Sequence, residues 1–152
     1  MLLINSLITK GCILIQPKTE DKNSLIKMMI DSLKSEDKIE DSDILFKAIM
    51  DRENLSSTAL DCESAIPHAH SSTVKEISIA VATSEKGVEF NAPDGSKSKL
   101  VFLIVGPENM EGKHLKLLSK MARLLHDKEF RTELMNAETQ EMFLELIRNK
   151  EN

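Results

Sequence analysis

The stretch "EISIAVATSEKGVEFNAPDGSKSKLVFLIVGPE", residues 76–108, decides the fold class. Its first eight residues alternate through Ile77, Ile79 and Val81, the period of a strand. Residues 100–106 form an unbroken apolar run closed by Gly106 and Pro107, the pattern of a central strand buried on both faces. Between them "NAPDGSKS", residues 91–98, holds the Asn, Pro, Asp and Gly that favour a tight reversal, so the two strands are expected to form a hairpin.

Outward from this hairpin the period changes to that of helices. Residues 23–35 place Leu25, Ile26, Met29, Ile30 and Leu33 on one face, and Ser42 is expected to cap a second helix carrying Ile44, Leu45, Ala48 and Ile49. Residues 12–15 are short and apolar, a third strand signal. From Gly112 the chain reads as helix again, first through Leu115, Leu118, Ala122 and Leu125, then in short helices around Phe130 and over residues 139–149. Repeats, low-complexity tracts and Pro/Gly-rich linkers are absent, so residues 1–152 are expected to form one α/β domain with helices covering a mixed sheet.

Composition narrows the function classes. Hydrophobic residues make up 41% and charged residues 30% of the chain, while Trp and Tyr are absent and Phe occurs five times. The core must therefore be aliphatic. A net charge of -5 argues against general nucleic-acid binding, which needs an excess of basic surface. The apolar start, residues 1–15, lacks a positive lead and is interrupted by Asn5, Ser6, Thr9 and Lys10, so neither a signal peptide nor a membrane span is expected and the cytoplasm is the expected location. Cys12 and Cys62 are read as reduced packing residues.

The chemistry-bearing groups gather in residues 52–70. His68 follows Pro67, whose fixed φ stiffens the approach to it. His70 would share one side of an extended chain with His68, but it is read as a solvated residue and expected to be replaceable. His68, His70 and His114 together would approach a three-histidine zinc set, although no zinc spacing signature is present. Arg52 lies where a cation complements a helix C-terminus, and Ser56, Ser57 and Thr58 are either loop hydroxyls or donors to an anion. Lys113, Lys116, Lys120 and Arg123 read as a solvated helix face, with a basic membrane-surface helix as the alternative.

Taken jointly, "RENLSSTA" at 52–59, "AIPHA" at 65–69, "KGVEFNAPDG", "LVFLIVGPE" and "HLKLLSKMARLLHDKEF" carry a more specific message. The whole chain resembles the enzyme IIA component of the bacterial phosphoenolpyruvate-dependent phosphotransferase system, in its fructose, mannitol and nitrogen-regulatory class. The resemblance implies one domain with a mixed β-sheet flanked by α-helices on both sides. It implies that His68 carries a phosphoryl group as nucleophile, that His114 is a second active-site histidine, that Arg52 stabilises phosphate, and that Ser57 and Thr58 belong to the loop beside it. A neutral imidazole suits this role because one ring nitrogen keeps a lone pair at neutral pH. No cofactor or metal is implied. The implied partners are phosphorylated HPr, or an HPr-like donor, and a separate enzyme IIB; the alternative is a nitrogen-regulatory module that binds target proteins according to its phosphorylation. In one place the chain departs from the family: Glu63, in the loop 60–64, stands where a glycine is common.

Overall fold

The hairpin forms as the turn residues dictate. The computed structural model describes residues 3–19 and 21–152. Strand β5 (Ser78–Val88) pairs antiparallel with β6 (Ser98–Gly106), in a register that sets Ser78 opposite Val105 and Val88 opposite Ser98. At the tip the Gly95 amide donates to the Ala92 carbonyl at 3.0 Å, and Gly95 takes a φ of 78° that a side chain would resist.

Both strands are buried on both faces, and the two faces differ in bulk. Ile79, Val81, Leu100, Phe102 and Ile104 point one way into a layer of large side chains. Ala80, Ala82, Val101, Leu103 and Val105 point the other way. The alanines of β5 explain why its pattern looked like simple alternation: its second face is buried too, but its own small side chains lie beneath the large ones of the covering helices, such as Leu25, Met29, Leu45 and Ile49.

The other strands complete a mixed sheet in the order β1-β5-β6-β3-β2, with β4 also on β6. They are β1 (Ile8–Leu14), β2 (Ala59–Leu60), β3 (Ser64–Ala65) and β4 (His68–His70). β1 is parallel to β5, and β2 is antiparallel to β3. β3 and β4 run parallel to β6 and occupy successive halves of its edge, facing Leu100 and Val101, then Ile104 to Gly106. The strand expected at 12–15 thus begins four residues earlier. Runs of two or three residues carry no period, so β2, β3 and β4 were invisible to pattern reading.

Helices α2 (Lys22–Ser35) and α3 (Ser42–Leu55) cover the alanine face. The expected face of α2 is buried in full. α3 is capped by Asp41 rather than Ser42: the aspartate accepts the Ile44 amide at 3.0 Å, which makes Ser42 the first helical residue. Consequently Leu45 and Ile49 point inward, while Ile44 is 52% exposed.

The opposite face is covered by α1 (Ile4–Leu7), α4 (Glu111–Leu125), α5 (Lys128–Met135) and α6 (Gln140–Glu151). In α4 the buried stripe is His114, Leu117, Met121 and Leu125, a correction to the expected Leu115, Leu118, Ala122 and Leu125. The leucines defined the expected stripe, and the burial of His114 displaces most of it by one residue. The side chain of Glu151 is fully buried and accepts the amides of Ile4 at 2.6 Å and Asn5 at 2.8 Å, with Lys120 Nζ at 2.6 Å. α1 is thereby tied to α6 and α4. Cys12 is buried, Cys62 partly so, and both are free thiols. Among the described residues no helix is long and apolar enough to cross a membrane.

Candidate active site

The site lies where β4 and β6 end and α3 and α4 approach. Pro67 is held on both sides: the Ile66 amide donates to the Thr58 carbonyl at 3.1 Å, and the Ile104 amide to the Pro67 carbonyl at 3.0 Å. β4 then starts with His68 opposite Ile104. Strand alternation sends Ala69 into the core and sets His68 and His70 on one side, both half-buried. His114, in the first turn of α4, is buried and brings its ring centroid to 5.6 Å from that of His68 and 4.1 Å from that of His70. Arg52 reaches in from the last turn of α3, where its Nη1 donates to the Ser56 carbonyl at 2.9 Å. The helix-terminus role read for Arg52 is therefore real, and the same side chain lines the site.

These four residues share an open depression of about 530 Å³ with Ala48, Ala69, Glu111, Leu115 and Leu118. A cleft of about 550 Å³ at the other end of β1, around Gln16 and Asn136, contains no histidine. Chemistry, not size, selects the histidine site.

Hydrogen bonding defines which His68 nitrogen is free. Nδ1 lies 2.8 Å from the Ile66 carbonyl, which can only accept, so Nδ1 carries the proton and Nε2 keeps the lone pair. Burial above all holds the His68 pKa below its ordinary value; Arg52 and His70 push the same way, while the Ile66 bond and Glu53 oppose. Burial likewise takes His114 down to about 4, with His70 and His68 adding to the effect. Both rings are neutral at neutral pH. His70 is not the solvated residue expected, since its Nε2 is buried.

The expected hydroxyls are placed differently. Ser57 Oγ donates to the Phe90 carbonyl and accepts the Ala59 amide at 3.0 Å, and Thr58 Oγ1 donates to Glu53. Neither lines the depression. The Glu53 side chain is fully buried and paired with Lys22 Nζ at 2.8 Å, so Lys22, Glu53 and Thr58 form a network beneath the loop. Glu53 was not anticipated, although an acidic residue at an inward helical position beside Arg52 was a usable signal. Glu63 has a φ of 56°, so the loop keeps a backbone suited to glycine with a glutamate in place. Among the described residues no group of three or more His, Cys, Asp or Glu side chains has an arrangement that could hold a metal ion.

A family model described as "Phosphoenolpyruvate-dependent sugar phosphotransferase system, EIIA 2" matches residues 6–150. The chain belongs to this EIIA family. It is 33% identical over 144 residues to the PTS system fructose-specific EIIABC component of Bacillus subtilis, covering 95% of this chain but only 23% of that protein. A nitrogen regulatory protein of Pseudomonas aeruginosa is 27% identical over 152 residues, covering 100% of this chain and 99% of the relative. Among solved EIIA-like structures, the nitrogen regulatory protein IIA-Ntr of Neisseria meningitidis superposes with a TM-score of 0.88 at 30% identity, covering 95% of this chain and 98% of its own. The mixed sheet with helices on both faces is the fold of these proteins.

Proposed function

We propose that this EIIA-family chain is a cytoplasmic phosphocarrier that takes a phosphoryl group from phosphorylated HPr, or an HPr-like donor, onto His68 and delivers it to a separate enzyme IIB for sugar uptake. The observation that carries the reading is the Ile66 carbonyl on His68 Nδ1, which commits Nε2 to nucleophilic attack in a depression whose lining includes a guanidinium.

Phosphoryl transfer asks a protein mainly to align donor and acceptor and to balance charge on the equatorial oxygens. In the forward step the Nε2 lone pair forms the new N–P bond while the donor's N–P bond breaks, its electron pair returning to the donor's nitrogen. The Nδ1 proton stays with Ile66 throughout. Arg52 can present two N–H groups to phosphoryl oxygens, and His114 can place a third donor from the opposite side. Ser57 and Thr58 support the reaction through the loop they hold rather than by touching phosphate. Ala48, Leu115 and Leu118 give the open depression an apolar rim on which a partner protein could seat and so exclude water during transfer.

The test is incubation with phosphoenolpyruvate, enzyme I and HPr, followed by intact-mass analysis and then addition of enzyme IIB. One acid-labile phosphate, absent in His68→Ala and discharged by IIB, is the expected result. Retained label in a folded His68→Ala protein overturns the assignment of the carrier, and label that no IIB discharges overturns the transport role.

A further inference from the structure

The carrier reading leaves His70 without a task, yet the structure treats it as part of the site. β4 sets His70 opposite Gly106, the last residue of β6. A side chain at Gly106 would put Cβ 3.3 Å from His114 Nδ1, 3.3 Å from Ile77 Cγ1 and 4.0 Å from His70 Cδ2. A Cβ there would crowd the His114 ring, which would have to give by a few tenths of an ångström, and would merely touch His70. The two rings meet with centroids 4.1 Å apart and planes tilted by 53°. His70 Nε2 and both ring nitrogens of His114 are buried and lack hydrogen-bond partners among the described residues. Three buried nitrogens left open in one cluster are unusual, because buried polar atoms are nearly always satisfied. Their placement beside the carrier suggests a partner that arrives only in one state of the reaction.

We infer that His70 is a positioning residue for phosphoryl transfer: its ring holds the His114 imidazole toward His68, and His114 takes up one proton from solvent when His68 carries phosphate. The inference rests on the phosphocarrier reading above. The step balances: the phosphoryl group on His68 Nε2 carries two negative charges, the ring keeps its Nδ1 proton and one positive charge, and one solvent proton binds one nitrogen of His114, with no redox change. The His70 ring lies against that cation, and a cation beside an aromatic ring is favourable. The charged and titratable groups facing His114 are His68 and His70 from β4, Arg52 from α3 and Glu111 from its own first turn; Gly106 and Ile77 bring none. Without phosphate, burial and the neighbouring imidazoles hold His114 neutral, and Arg52 adds a positive charge nearby. A dianion on His68 reverses that balance.

The experiment uses the full chain with isotope-labelled histidine, titrated by NMR before and after phosphorylation, together with single-turnover transfer from phosphorylated HPr between pH 5.5 and 8. Intact mass first establishes that wild type and variants are phosphorylated at His68; if wild type is not, the carrier reading itself fails. In phosphorylated wild type the midpoint of His114 is expected to rise by at least one pH unit, a tenfold change in proton affinity. His70→Leu, which removes ring and nitrogens, is expected to slow transfer by about tenfold through misplacement of His114. His70→Phe keeps a ring in the space and is expected to recover most of that rate. A His114 midpoint that does not rise on phosphorylation of wild type overturns the proton uptake. Unchanged rates in a folded His70→Leu protein overturn the positioning role as well.

Discussion

His114 gives the molecule a weakness in acid that a difference experiment can isolate. Its ring is buried and its pKa lies at about 4, mainly because burial penalises the charged form. In the unfolded chain the same ring titrates near 6.5. Between those values the unfolded chain binds a proton that the native protein refuses, so native stability is complete above pH 6.5 and is lost as pH falls toward 4. That interval corresponds to roughly 3 kcal/mol once the pH has reached the lower value. A second penalty is independent of pH, because two ring nitrogens are buried without partners among the described residues. Unsatisfied buried groups cost about 1–3 kcal/mol each, and some of that is regained if the ring shifts. His114→Leu removes both liabilities while filling a similar volume. The variant is expected to be about 1–2 kcal/mol more stable than wild type at pH 7.5, with the advantage widening by a further 2 kcal/mol or so at pH 4.5. Urea unfolding of both proteins at four pH values measures it. Groups common to both, such as Glu151 and Asp127, whose carboxyls are held below their ordinary range, cancel in the difference. Parallel stability curves would show that His114 titrates normally and that the reasoning from burial is wrong.

Arg52→Lys keeps the charge but loses the planar fork and the fixed bond to Ser56, so single-turnover phosphoryl transfer should slow by roughly tenfold; a wild-type rate would make Arg52 purely a helix-terminus residue. Glu63→Gly relieves a left-handed backbone at φ 56° and sacrifices only a half-exposed ion pair with Lys99, so it should stabilise the protein by about 0.5–1 kcal/mol in chemical denaturation. A loss of stability would mean that the Lys99 pair outweighs the backbone strain. Glu151→Gln should lower stability at pH 7 by about 2–3 kcal/mol, because Lys120 and the Ile4 and Asn5 amides lose a buried anion. Burial alone would raise the Glu151 pKa, but Lys120 and the amides together bring it below the ordinary value, so this contribution is present above about pH 4.5 and disappears as pH falls through the lower folded value. Thermal melts of wild type and Glu151→Gln should therefore converge in acid, and a constant gap down to pH 3 would contradict the linkage.

The elements that pattern reading recovered are those whose burial repeats over many residues. The 76–106 hairpin, α2 and the helices after Gly112 each present a period long enough to count, and their turns use residues chosen for backbone shape. What escaped has a different physical origin. β2 to β4 are too short for any period, and their place in the sheet, β3 and β4 on β6 and β2 on β3, is set by backbone bonds that involve Thr58, Ile66, Pro67 and Ile104, not by side-chain type. The stripe of α4 was misassigned because it includes a buried histidine, a choice that serves the site at the expense of local consistency. Of the site itself, His68, His114 and Arg52 were implied by the family resemblance that their motifs carry, and the structure brings them to one depression. Ser57 and Thr58 were read as loop hydroxyls or as donors to an anion, and the hydroxyls are used within the loop. His70 and Glu53 contribute through whom they touch, which spacing along a chain does not encode.

Because β4 is stitched to the central strand of the sheet, His68, the proposed carrier, sits on backbone anchored to the core. The Ile104 amide bonds Pro67, the Ser71 amide bonds Gly106, and β6 is buried along both faces. Amide protons of this segment should exchange with solvent only when the whole molecule unfolds, whereas many phosphate-handling loops breathe on their own. The chain therefore offers its partners an anvil rather than a clamp. Under the proposed function, the motion that brings two nitrogens in line across a phosphorus atom would come from the incoming partner's loop or from the docking of two rigid surfaces, and the lifetime of a phosphorylated state would be set by how well those surfaces part.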